Sequence, residues 1–189
     1  MTPEASRPPT HTPTLRSERL LLRAPTAQDA PALLEISYYD GVRAANVGEA
    51  RCMLERIGAD VARGESLHWG LCLRESGEMI GTCGFYRGHP DGSGELGYVL
   101  KAAFRGQGYM SEALGAVIAC GFETLHLERI VAYTGADNRA SVAVLERLAF
   151  EQVEPAVTGT SARAAADTLV TFALSAEAFG ASKARAPRG

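Results

Sequence analysis

The stretch from Glu95 to Leu114 constrains the fold more than any other part of the chain. Leu96, Tyr98 and Leu100 alternate as one apolar edge of a strand, and Met110, Leu114, Val117 and Ile118 recur at helix spacing. Between them Arg105-Gly-Gln-Gly108 supplies a turn in which backbone can approach a ligand closely. A glycine-rich turn that opens a helix leaves N–H groups without helical partners at the positive end of the helix dipole. The chain must therefore fold as strand, turn and helix here, and the turn is an anion site suited to a phosphate or pyrophosphate. Two familiar phosphate loops do not fit. No Lys-Ser/Thr pair follows Gly106 or Gly108, as a nucleoside-triphosphate loop requires. Met110 and Ser111 occupy the place where a dinucleotide fingerprint needs its third glycine.

Arg105-Gly-Gln-Gly-Tyr-Met110 resembles the Gln/Arg-x-x-Gly-x-Gly/Ala pyrophosphate turn of the GNAT superfamily, the acyl-CoA-dependent N-acyltransferases, with Met110 at the position of the small residue. The segments Thr14–Arg23, Ile80–Phe85, Glu95–Tyr98 with Met110–Ala113, and Asn138–Val142 with Leu145–Phe150 resemble, in the same order, the RimJ/RimL-like branch, which acetylates ribosomal-protein N-termini. Ala149 stands where that branch carries glycine, and the resemblance spans roughly residues 14 to 174. It implies acetyl-CoA as co-substrate and direct attack of an amine on the thioester in a ternary complex. A protein N-terminus and a small amine both remain open as acceptor, and the resemblance leaves room for a homodimer.

Element patterns agree with that implied fold. Leu15–Arg23 reads as a strand, and Thr26-Ala-Gln-Asp29 as a capped helix start. Residues 30 to 64 read as helix in two or three pieces broken near Asp40-Gly41. Strands follow at 67–74 and 78–87, joined by a hairpin turn at Glu75-Ser-Gly77. After the 95–100 strand come a helix to about Thr124, a strand at 129–134, a helix over 138–148 and a strand at 168–174. This describes an α+β protein: a mixed, mostly antiparallel sheet flanked by helices, in which the resemblance implies a splayed cofactor strand. Domain organisation reads as a disordered leader (1–13), one domain (14–176) and a flexible basic tail (177–189).

Composition narrows the function further. No apolar run approaches the roughly 18 residues of a membrane span. Cys52, Cys72, Cys83 and Cys120 form no close pair, and three sit in apolar stretches, so they read as buried reduced thiols of a cytoplasmic protein; the four histidines show no metal spacing. A net charge of −3 gives no basic stripe for nucleic acid.

Acyl transfer to an amine requires a held pyrophosphate, a polarised carbonyl, a base and a proton for the leaving thiolate. The backbone of Arg105, Gly106, Gln107, Gly108, Tyr109 and Met110 is the candidate for the first. The resemblance places backbone of Tyr98, Val99 and Leu100 against the pantetheine arm, and Asn138 on its amides, although Asn138 also fits an N-cap. Glu95 lies close to where several GNAT members place a glutamate base and is the candidate base, the alternatives being that it orders the strand end or binds a substrate N-terminus electrostatically. Many GNAT enzymes use a tyrosine seven residues past the Asn as the acid; here that position is Leu145. The RimJ/RimL-like branch carries a serine at Ser141, so the resemblance makes Ser141 the candidate acid beside the cofactor sulfur, the alternative being a helix-start serine that bonds backbone, with Tyr133 and Tyr109 as other donors. Loss of that tyrosine also admits a non-catalytic acyl-CoA sensor as the alternative function. Trp69, Phe85, Tyr86, Tyr38 and Tyr39 are candidates for either an amine pocket or the core, and Asp29, Glu35 and Asp40 for attracting a cationic amine.

Overall fold

The computed structural model describes residues 9–39, 41–86, 90–154 and 169–185. Ten strands and five helices follow in chain order: β1 (Leu15–Arg16), β2 (Leu20–Arg23), α1 (Ala30–Leu33), β3 (Tyr38–Tyr39), β4 (Val42–Arg43), α2 (Val47–Ala62), β5 (Leu67–Leu73), β6 (Met79–Tyr86), β7 (Ser93–Leu100), α3 (Tyr109–Glu123), β8 (Arg129–Gly135), α4 (Arg139–Arg147), β9 (Glu151–Val153), β10 (Leu169–Ser175) and α5 (Ala176–Arg185). Eight strands form one sheet in the order β1-β2-β5-β6-β7-β8-β10-β9. Every neighbouring pair is antiparallel except β7–β8, which α3 connects as a crossover. The α+β expectation therefore holds.

Alternation along the central strands divides the core between the two sheet faces. Leu67, Trp69 and Leu71 of β5, Phe85 of β6 and Leu96 and Leu100 of β7 pack with Met110, Leu114, Val117 and Ile118 of α3. On the opposite face Cys72 and Met79 join Leu33 of α1 and Ala50 and Leu54 of α2 in a second cluster. The intervening residues of β5 to β7 point toward α1 and α2 and form the floor of a cleft.

Several boundaries differ from the sequence reading. The single strand expected over 15–23 is a hairpin, because Ser17 and Leu20 close a tight turn through Ser17 N–H to Leu20 carbonyl (3.0 Å) and Leu20 N–H to Ser17 Oγ (3.2 Å). Within the expected helical region 30–64, Tyr38–Tyr39 and Val42–Arg43 pair as a two-stranded ribbon, and α2 starts only where Asn46 Oδ1 caps Glu49 N–H at 3.0 Å. The tail expected from 177 is helical to Arg185, and Phe179 stacks on Phe122 with centroids 4.9 Å apart. The leader is tied down at its end: Pro13 carbonyl accepts the Trp69 indole N–H at 2.7 Å, and Thr12 Oγ1 accepts His68 N–H at 3.4 Å. Strand β9 has no counterpart in the sequence reading; it pairs Glu151–Val153 with β10 at the sheet edge. No helix among the described residues is long and apolar enough to cross a membrane.

Candidate functional site

The turn after β7 has the geometry that its glycines permit. Gly106 and Gly108 take φ of 75° and 81°, and Gly108 caps α3 in the left-handed region. The first helical hydrogen bond runs from Glu112 N–H to Gly108 carbonyl at 3.1 Å, so the N–H groups of Tyr109, Met110 and Ser111 precede the ladder. The Met110 side chain is buried in the core, which explains how a large residue occupies this place. Arg105 Nε donates to Leu100 carbonyl (3.1 Å) and Gln107 Nε2 to Ala103 carbonyl (3.1 Å), so both side chains brace the turn.

A second brace was not visible in the sequence. The polar turn between β1 and β2 docks on the start of α3. Glu112 accepts hydrogen bonds from the Arg19 N–H, the Arg19 Nε and the Ser17 hydroxyl, each at 2.7 Å. Arg19 Nη1 donates to Gln107 carbonyl at 3.1 Å, and its guanidinium lies 4.3 Å from the Tyr109 ring centroid. Burial alone would raise the Glu112 carboxyl; the bonds from Arg19 and Ser17 outweigh it and hold it below the usual carboxylate value. The Tyr109 ring is thereby part of the brace. These partners lie about ninety residues apart, beyond any local signal.

Strands β7 and β8 pair only from Ser93↔Arg129 to Glu95↔Val131, whereas β7 stays paired with β6 as far as Leu100↔Gly81. Past Glu95 the two strands are splayed. Lys101 N–H donates to Ile80 carbonyl (2.9 Å), and strand alternation from that bond turns the backbone of Tyr98 and Leu100 to the open edge. Val99, expected among the cofactor-facing backbone positions, instead directs its N–H and carbonyl to β6 and its side chain to the cleft. The Leu100 carbonyl is taken by Arg105, which leaves Tyr98 as the position with both backbone groups on that edge.

The Tyr98 phenol crosses the splay to α4. Its hydroxyl lies 2.6 Å from Ser141 Oγ and donates to Ser141 carbonyl at 3.3 Å. Burial raises the Tyr98 phenol above its ordinary value, and the Ser141 bond offsets part of that rise. Asn138 caps α4, its Oδ1 accepting Ser141 N–H at 3.2 Å. Leu145 is fully buried in the main core, and Tyr133 lies on the cleft wall. The structure thus brings Ser141 together with a tyrosine that sequence reasoning treated as backbone alone. Tyr98 and Ser141 are 43 positions apart, and only the splay joins them.

A cleft of about 610 Å³ opens on the α1–α2 face of the sheet. Leu33, Ile36, Met53, Leu54 and Ile57 form its apolar wall, and Ser66, His68, Thr82, Tyr86 and Glu95 its floor. Glu95 lies directly opposite Tyr86. The Tyr86 hydroxyl and His68 Nδ1 are 2.8 Å apart. Burial lowers the His68 imidazole to about 4 and pushes the Tyr86 phenol up, so both are neutral at pH 7. Gly97 makes this pairing possible, because a Cβ there would lie 2.7 Å from the Tyr86 ring. At the rim the Tyr39 hydroxyl donates to Asp60 (3.1 Å), and Arg63 ion-pairs with Asp60 and with Glu65 at 2.8 Å.

Among the aromatic candidates, Tyr38, Tyr39 and Tyr86 line the cleft, whereas Trp69 and Phe85 are fully buried in the core. Asp29 is held by Arg23 in a two-pronged ion pair at 2.7 and 2.8 Å, which lowers its carboxyl to about 2. Glu35 is exposed and outside the cleft lining, and Asp40 lies outside the described residues.

Residues 19–151 match the Acetyltransferase (GNAT) domain family. An uncharacterized N-acetyltransferase of Bacillus licheniformis, p20, is 33% identical over 147 residues, which cover 74% of this chain and 83% of that one. The acetyltransferase of Agrobacterium tumefaciens superposes with a TM-score of 0.69 at 28% identity, covering 86% of this chain and 94% of that one. RimL, the ribosomal L7/L12 alpha-N-protein acetyltransferase in complex with coenzyme A, superposes with a TM-score of 0.74 at 22% identity over 88% of this chain and 99% of that one.

Proposed function

The chain belongs to the GNAT acetyltransferase family, an N-acetyltransferase with acetyl-CoA as its co-substrate, and from this premise we propose how its own residues divide the work. The co-substrate supplies an activated acetyl thioester. The N–H groups that open α3 bind the pyrophosphate of acetyl-CoA, and the Arg19–Glu112 brace keeps them aimed. The pantetheine arm enters the splay and pairs with the open backbone edge at Tyr98. A primary amine reaches the thioester from the cleft side, and Glu95 takes its proton directly or through one water. On the other side of the strand the Ser141 hydroxyl gives a proton to the departing sulfur, and the Tyr98 phenol supports it through their shared hydrogen bond.

One observation carries this reading: the splay begins at Glu95, with the Tyr98–Ser141 pair immediately beyond it. Base and acid then flank a single opening, as direct transfer between two bound substrates requires. Peptide N-termini and small amines are both acceptors under this reading, in a cytoplasmic setting. The test is calorimetric titration with acetyl-CoA against ATP and NAD, followed by release of CoA thiol in the presence of each acceptor class. Selective binding of acetyl-CoA is expected. Ser141→Ala and Tyr98→Phe should each slow turnover about 10- to 100-fold, and the double variant should lose little more than either alone. Native turnover in Ser141→Ala would remove the acid assignment.

A further inference from the structure

The cleft floor carries a feature that acetyl transfer leaves unused. Ser66 is 5% exposed and lines the cleft, yet its hydroxyl has no hydrogen-bond partner among the described residues. Ser37, another buried serine of the same cleft, satisfies its hydroxyl on Leu33 carbonyl at 2.9 Å. A buried hydroxyl without a partner is costly to keep, so it marks a place where a ligand group is expected.

Register fixes where that place is relative to the chemistry. Leu67 pairs with Phe85, and the same register carried one residue ahead of β5 places Ser66 opposite Tyr86, which itself pairs with Glu95. Ser66 and Glu95 are therefore two strand spacings apart on one face, roughly 10 Å between their backbones. Tyr86 lies between them, but its ring leans off that line, with its hydroxyl at His68 and its edge over Gly97. Beside Ser66 the imidazole of His68 is neutral, and the rim acids Asp60 and Glu65 are engaged by Arg63. An uncharged group suits the Ser66 hydroxyl itself, because the imidazole beside it is neutral and offers no counter-charge there. The wall of Leu33, Ile36, Met53, Leu54 and Ile57 suits an apolar body between the two ends.

We propose that the acceptor is a compact primary amine with an apolar middle and an uncharged hydrogen-bonding group about two strand spacings from its nitrogen, and that Ser66 recognises that group. The amine end of this inference rests on the acetyl-transfer reading above; the Ser66 end rests on the cleft alone. Two amine pairs differ only in a terminal hydroxyl: tyramine against 2-phenylethylamine, and 6-aminohexanol against hexylamine. Binding of each to the CoA-loaded protein is measured by calorimetry for the wild type and for Ser66→Ala, and acetyl transfer is then followed for the same four amines. The hydroxylated member should bind at least about tenfold tighter to the wild type, and Ser66→Ala should abolish that preference without weakening its partner. Circular dichroism and thermal unfolding of Ser66→Ala are expected to match the wild type. Preference followed by no acetyl transfer would sink the proposed function but leave the recognition standing. The inference is overturned if no preference exists, if it persists in Ser66→Ala, or if neither amine pair binds, including the case in which a peptide N-terminus is acetylated instead.

Discussion

The Arg105–Met110 turn and the cleft over β5–β7 meet at the same strand, yet they are made of different material. The turn offers main-chain N–H groups at a helix start, and its side chains serve mostly to brace it: Arg105 on Leu100, Gln107 on Ala103, Met110 in the core. The cleft offers side chains from α1, the β3–β4 ribbon, α2 and four strands of the sheet, and its glycine at position 97 makes room rather than contacts. An anion held by backbone needs a conformation, so almost any side chain is admissible provided two glycines take left-handed φ. An amine held by side chains needs identities and distances. Under the proposed function, the first kind of site is general to a co-substrate, and the second decides which acceptor enters.

The largest effect that separates the two sides belongs to Glu95→Gln. It removes the proposed base, keeps the shape of the floor, and touches nothing in the turn. Turnover should fall by about 10²- to 10⁴-fold while the affinity for acetyl-CoA, read by calorimetry, stays at the wild-type value. A variant that loses acetyl-CoA binding together with turnover would mean that the two sides are not separable at this strand.

The same division decides what could be read from sequence. The turn was legible because its cause is local: glycines between a period-2 and a period-3.6 pattern. The α+β class and the mostly antiparallel sheet followed from similar patterns along β5 to α4. The acceptor side was not legible, because its meaning lies in register. Nothing in Glu65-Ser-Leu-His68 says that Ser66 will face Tyr86, and nothing in Tyr98 says that it will meet Ser141 across a gap. The β3–β4 ribbon escaped for a related reason: Tyr38-Tyr39 and Val42-Arg43 are too short for periodicity to declare them. Helix α5 was hidden by its few apolar side chains beyond alanine, a glycine at position 180, and one aromatic anchor, Phe179 on Phe122.

Acid should strain the cleft side selectively. Burial puts the folded-state imidazole of His68 at about 4, below its ordinary 6.5. Between those values the unfolded chain takes up a proton that the folded chain refuses, so stability is complete above pH 6.5 and is lost as pH falls toward 4. The gap corresponds to about 3 kcal/mol. Urea unfolding at pH 7.5 and 5 should therefore show a steeper acid loss for the wild type than for His68→Gln, which cannot take that proton. Equal slopes in the two proteins would place His68 in contact with water.

Two glycine substitutions give the smallest and most symmetrical test. In Gly97→Ala the new methyl would lie 2.7 Å from the Tyr86 ring, which its hydroxyl ties to His68, so ring and imidazole must shift together. Overpacking of this kind costs about 1–3 kcal/mol. Its functional mark should be a raised acceptor KM with acetyl-CoA affinity retained. In Gly108→Ala the new methyl meets only Arg19 Nη2 at an ordinary 3.5 Å, so the penalty is the left-handed φ of 81°, about 1–2 kcal/mol. Relief of that strain rotates the peptide ahead of Tyr109 and misaims the N–H groups that open α3. Acetyl-CoA affinity should then fall while acceptor KM, measured at saturating acetyl-CoA, is kept. Titration and steady-state kinetics on the two variants would show the comparison at its sharpest, one substitution marking each substrate. If Gly108→Ala raised the acceptor KM instead, the turn would belong to the acceptor side, and the assignment of main chain to one substrate and side chains to the other would have to be reversed.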